Sequence, residues 1–174
     1  MAKAPIILLG AAMVATALPT FSQQSGRWTT ERAALNSAGD AKPVAVVHST
    51  TGDSLRVFKD AKGVVHLSLR LRRGLERLAQ DACPTFQVDR DPPSAISAQD
   101  VRCTTDTGGA RVAIGQVDGG SIDSSMLQRL MNGTAIVARF RLKTLGYRKA
   151  SFTLSGSKQA LFNMIGPGVT IEGV

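Results

Sequence analysis

Apolar and polar residues alternate most regularly from Val64 to Arg72, where Val65, Leu67, Leu69 and Leu71 are separated by His66, Ser68, Arg70 and Arg72. A period of two is that of a β-strand with one face buried. Two runs precede it, Val44 to Ser49 and Ser54 to Lys59, with turn residues Thr51-Gly52-Asp53 and Asp60-Ala61-Lys62-Gly63 in the gaps. The three runs predict an antiparallel meander joined by tight turns. Phe86 to Asp89 reads as a short strand. Val101 to Cys103 and Ala110 to Gly115 read as a pair joined through Asp106-Thr107-Gly108-Gly109. From Thr134 to Lys143 the alternation returns, with Ile136, Ala138, Phe140 and Leu142 on one face and Val137, Arg139, Arg141 and Lys143 on the other. Leu145-Gly146-Tyr147 then reads as a turn and Lys149 to Leu154 as a last strand.

The period changes twice. Met126, Leu127, Leu130 and Met131 fall at helical spacing, with Asp123 as the expected cap and Asn132-Gly133 as the stop. Ala160, Leu161, Met164 and Ile165 do the same, with Ser155 or Ser157 as cap and Gly166-Pro167 as the end. Leu75 to Ala79 suggests a short helical turn. Residues 23–40, around Trp28, are polar and weakly patterned, and read as a mobile lead-in; Pro167 to Val174 reads as a loose tail. The expected fold is mainly β, an antiparallel sandwich or small barrel with two short helices, forming one domain over 23–174 with an ordered core about 28–166.

The first 22 residues stand apart. Lys3 precedes an apolar run from Ile6 to Ala15, and both Ala15-Thr16-Ala17 and Thr20-Phe21-Ser22 have the small-x-small form of a cleavage site. This is the pattern of a secretory signal peptide over 1–22. The competing reading is a membrane anchor, since Ala4 to Ser22 carries no charge. Pro5, Thr16, Pro19 and Thr20 shorten the continuous apolar stretch below the roughly 20 residues a spanning helix needs. The expected address is the periplasm or the exterior, with no transmembrane span after cleavage.

Export changes how charge and cysteine are read. The formal charge of +8 falls to +7 once Lys3 is removed. A basic surplus outside the cytoplasm favours anionic lipid, lipopolysaccharide phosphates or an acidic envelope protein, or else serves solubility alone. Few aromatics interleave with the basic residues, so nucleic acid is not expected. Cys83 and Cys103 are the only cysteines, and an oxidising compartment makes a disulfide the expected state. No Cys-x-x-Cys is present and no histidine lies near either thiol, so neither redox nor zinc chemistry is expected, and no cofactor is implied.

Ser155-Gly156-Ser157-Lys158 matches the Ser-x-x-Lys pattern of serine acyl-transferases, in which the lysine takes the serine's proton. The accompanying Ser-Asp-Asn and Lys-Thr-Gly motifs are missing, and a helix cap is the plainer role for Ser155. His48 and His66 each fall on a strand, away from any Gly-x-Ser-x-Gly. Asp89 and Asp91, beside Arg90 and two prolines, suit turn geometry better than acid–base chemistry. The basic residues are the more suggestive pattern. His66, Arg70 and Arg72 share one strand face; Arg139, Arg141 and Lys143 share another, with Arg148 and Lys149 soon after. They form one anion-binding stripe if the two strands are neighbours, and two separate solvated faces if they are not.

Roughly from Trp28 to Ile165 the chain resembles the invasion-associated locus B family of bacterial envelope proteins. Met126 to Gly133 resembles that family's short helix ending in leucine-x-x-leucine-x-asparagine-glycine. Phe152-Thr153-Leu154-Ser155-Gly156 leads into a closing helix as in the family, and Val88-Asp89 and Arg102-Cys103 sit where it has comparable residues. The family's closely spaced cysteines after the arginine-cysteine element are missing, since no cysteine follows Cys103. The resemblance implies an exported β-rich envelope protein of a Gram-negative bacterium, sometimes tied to host-cell entry, with no catalytic residues and no cofactor. Three functions are then expected in order: a non-enzymatic module binding an anionic envelope component, a small serine hydrolase using Ser155 and Lys158, and a factor that binds a protein partner through a sheet edge.

Overall fold

The computed structural model describes residues 26–34, 41–72, 74, 76–93, 103–144 and 146–172. The expected signal peptide, Arg102 and the start of the strand expected at Val101 lie outside the described residues. In chain order the elements are β1 (Thr29–Ala34), β2 (Ala41–His48), β3 (Ser54–Lys59), β4 (Val64–Arg70), β5 (Thr85–Val88), β6 (Cys103–Asp106), β7 (Gly109–Asp118) and β8 (Ser121–Ile122). They continue with α1 (Ser125–Asn132), β9 (Ala135–Leu142), β10 (Gly146–Thr153), α2 (Ser157–Ile165) and β11 (Thr170–Ile171).

The strands form two curled sheets, which together make a half-barrel. The large sheet runs β1-β2-β3-β4-β7-β8-β11, with β6 also paired to β7; the small sheet runs β10-β9-β5. The expected mainly β fold with two short helices is the one observed. The β2-β3-β4 meander forms as its alternation requires, with Leu55 opposite Leu69 and Val57 opposite Leu67. One shared core lies between the sheets and the helices. The large sheet supplies Val47, Leu55, Val57, Leu67, Leu69 and Val112. The small sheet supplies Phe86, Ile136, Phe140 and Phe152, and the helices supply Leu127, Leu130, Leu161 and Met164.

Several local expectations are corrected. Trp28 is not in a mobile lead-in: it is buried, its Nε1 donates to the Thr153 carbonyl at 2.8 Å, and β1 follows it, paired with β2. The segment after Pro167 is not a loose tail either, since β11 pairs in parallel with β8 and buries Ile171. In place of the helical turn expected before Cys83, residues 77–79 are extended chain. Leu78 bridges Leu142, its N–H donates to the Thr107 carbonyl, and the Ala79 N–H donates to the Arg141 carbonyl. Helix α1 is capped by Ser124, whose Oγ accepts from the Leu127 N–H, not by Asp123. Helix α2 is entered through Gly156 at φ +79°, so neither Ser155 nor Ser157 caps it. The turn expected at Leu145-Gly146-Tyr147 begins earlier, at Lys143-Thr144, and Gly146 already pairs with Leu142. Gly146 does so at φ +76°, a conformation a side chain would strain.

Candidate anion-binding face

The hairpin of β9 and β10 creates the basic face. On β9, Ile136, Ala138, Phe140 and Leu142 fill the core, so Arg139 and Arg141 must point away from it. Register places Lys149 opposite Arg139 and Tyr147 opposite Arg141. Beyond Leu142 the chain reaches Lys143, whose N–H donates to the Arg77 carbonyl, which brings the extended 77–79 segment alongside. Arg77, Arg139, Arg141, Lys143 and Lys149 are thereby gathered at the exposed side of one small sheet. Among the described residues the acidic group that joins them is Asp81, which pairs with Arg141. The bond from Arg141 holds the Asp81 carboxyl below its ordinary range, and Asp81 in turn raises the guanidinium's pKa. The Arg139 guanidinium lies 4.6 Å from the centre of the Tyr147 ring, and that ring is 64 % exposed.

At the edge of this face an open cleft of about 750 Å³ is lined by Arg77, Gln80, Asp81, Thr107, Arg141, Lys143 and Thr144. The Cys83–Cys103 disulfide, as expected, joins the chain just after the cleft wall to β6. The Thr105 hydroxyl also donates to the Gln80 carbonyl at 2.7 Å. The wall that carries Asp81 is therefore tethered at two points.

The expected stripe is only partly assembled. Arg139, Arg141 and Lys143 fall on this face, but Arg70 and Arg72 do not. Strand β4 belongs to the large sheet and β9 to the small one, so their polar faces do not merge. Arg70 instead pairs with Asp106 at 2.7 Å, and the Arg72 N–H donates to Asp53. His66 is not a solvated strand histidine: its side chain is mostly buried, stacked on Phe58, with Nε2 2.9 Å from Asp60. Partial burial works to raise the Asp60 carboxyl, but bonds from His66, the Val64 N–H and the Lys62 N–H outweigh it and hold the pKa low.

Arg148, which follows the same basic pattern in sequence, turns inward. It reaches the fully buried Asp53, at the β2–β3 turn, and Glu76. Its guanidinium also sits over the Phe140 ring at 5.1 Å. The signal was present, because Arg148 shares its strand face with Ala150 and Phe152. Lys149 is among the cations that the sequence pattern groups, whereas Arg77 is not, because the bond from the Lys143 N–H to its carbonyl joins segments far apart in the chain.

Ser155 and Lys158 lie at the entrance to α2, both exposed; no hydrogen bond joins their side chains and neither lines the cleft. Asp89 sets a turn, as expected. At φ +49° it accepts from the Thr134 hydroxyl and from the Thr134 and Ala135 N–H groups, which lowers its pKa. Among the described residues no group of three or more potential ligands would hold a metal, and no helix is long and apolar enough to cross a membrane. The chain matches no family model, no curated protein and no solved structure.

Proposed function

We propose that the chain is an exported, non-enzymatic envelope protein that binds an anionic envelope component on the outer face of its small sheet. One observation carries this reading. Arg77, Arg139, Arg141, Lys143 and Lys149 converge beside a cleft where, among the described residues, Asp81 is the opposing charge. Arginine forks suit phosphate and carboxylate oxygens, and clustered cations attract an anion before contact. The envelope address is supported by the signal-like residues 1–22 and by the resemblance of the α1 and β10–α2 segments to invasion-associated locus B proteins.

The test is co-sedimentation of the chain from Gln23 onward with lipopolysaccharide and with anionic or neutral vesicles. Binding to an anionic surface should weaken at least tenfold on the double change Arg139→Glu and Lys149→Glu, and should fall as salt rises. Arg70→Glu, on the other sheet, should leave it unchanged. Equal loss from Arg70→Glu would mean that net charge alone drives adsorption, and the site assignment would fail.

A further inference from the structure

Resting on the binding reading above, we infer that the ligand is a hydrophilic acidic saccharide, carrying phosphate or carboxylate, which is recognised without any acyl chain. The cleft wall argues for this. Its two leucines, Leu78 and Leu142, are 1 % and 4 % exposed, so their side chains belong to the core and the cleft gains little from them but backbone. Neither leucine side chain therefore offers a lipid tail a deep aliphatic slot. The polar residues that line the cleft are Arg77, Gln80, Thr107, Arg141, Lys143 and Thr144, with Asp81, which is paired with Arg141, as the acidic residue among them. These can bond both an acidic group and the hydroxyls of a sugar. A space of about 750 Å³ far exceeds what a lone phosphate fills.

Tyr147 adds the second element. It follows Gly146 at the cleft rim, it is the cross-strand partner of Arg141, and its ring is the most exposed large apolar group among the described residues. Arg139 packs against the ring and limits its freedom. A held aromatic plane beside paired cations offers a stacking surface to the apolar C–H face of a pyranose whose acidic group sits on Arg141 or Lys143. Among the described residues the other exposed large apolar side chain, Phe162, is on α2 and not on the β9–β10 hairpin, so the two aromatics do not share one strand face.

Isothermal titration of the chain from Gln23 onward against four probes separates the outcomes: an acyl-free glucosamine disaccharide bisphosphate, a uronic-acid disaccharide, inorganic phosphate, and phosphatidylglycerol vesicles. One of the acidic disaccharides should bind at least tenfold tighter than inorganic phosphate; which one identifies phosphate or carboxylate as the source of charge. Tyr147→Ala should weaken that disaccharide about tenfold, the scale of one aromatic stacking contact. It should leave inorganic phosphate and the circular dichroism spectrum unchanged, and Tyr147→Phe should retain the affinity. Disaccharides no tighter than phosphate, or indifferent to Tyr147→Ala, would overturn the saccharide inference. Vesicles that bind when neither disaccharide does would overturn it too, while leaving the anion-binding reading standing. If no anionic probe binds, that reading itself fails.

Discussion

Arg148→Met should destabilise the protein by about 3 kcal/mol, although the residue looks from sequence like one more surface cation. The magnitude follows from its partners. The Asp53 side chain is 0 % exposed, and it accepts from the Thr51 hydroxyl at 2.9 Å, from the Arg72 N–H at 2.9 Å and from Arg148 Nη2. Removing one member of a buried ion pair typically costs about 3–5 kcal/mol, because the other charge is left in low dielectric. Here Arg148 is 26 % exposed and Asp53 keeps two neutral donors, so the cost should sit at the low end of that range. The bond to Glu76, which is 36 % exposed, adds less than about 1 kcal/mol. Methionine retains most of the contact with Phe140 and loses only the cation–π part, roughly 0.5–1 kcal/mol. At about 2–4 °C per kcal/mol for a chain of this length, the melting temperature should fall by about 6–12 °C. Urea titrations of wild type, Arg148→Met, Asp53→Asn and the double variant complete a cycle. The pair should couple by at least about 1.5 kcal/mol, with the double variant less damaged than the sum of the singles. A single variant within about 0.5 kcal/mol of wild type, or strictly additive changes, would refute the view that this pair fastens the small sheet to the large one.

Three further outcomes follow from the packing. Serine at both Cys83 and Cys103, 20 residues apart, should lower stability by about 3 kcal/mol through the freed loop, read as a lower urea midpoint that reducing agent no longer shifts. Gly133→Ala should cost about 1–3 kcal/mol. A Cβ there would meet Val88 Cγ1 at 2.6 Å and the Arg129 carbonyl and Leu154 Cδ1 at 2.9 Å, and a melting temperature within 1 °C or so of wild type would show that the α1–β9 junction yields freely. Asp89→Asn tests a titration. The Asp89 carboxyl is held below its ordinary 3.8 by the Thr134 hydroxyl and the Ala135 and Thr134 N–H groups. Its contribution is therefore present above that ordinary value and is lost as pH falls through the lowered one. Asparagine tolerates the left-handed backbone, so the variant should lose stability at pH 7 and less as the pH falls below the carboxyl's ordinary value; a loss independent of pH would sink the carboxylate's role.

The parts of this fold that sequence revealed are those where one face is buried and the other is not. Val64 to Arg70 and Ala135 to Leu142 alternate because they line the core, and both helices appear where the period changes. Strand β1 is silent for the opposite reason: Thr29, Thr30, Glu31 and Arg32 are all exposed, and only pairing with β2 makes them a strand. Leu75 and Leu78 mimic helical spacing, but the Leu78 and Ala79 N–H groups are taken by Thr107 and Arg141, and tertiary pairing overrides the local pattern. The same distinction governs the candidate site. Arg139 and Lys149 meet because a short turn joins their strands, and a hairpin's register is a local property. Arg70 and Arg139 do not meet, since which sheet each strand enters depends on contacts far apart in the chain. Alternation also separates the two arginines that sequence treated alike. Arg139 lies opposite Lys149 on the solvent side, whereas Arg148 shares its side with Ala150 and Phe152 and is drawn to Asp53. One cation is left facing solvent and the other holds the sheets together, and the face each strand residue occupies decides between the two.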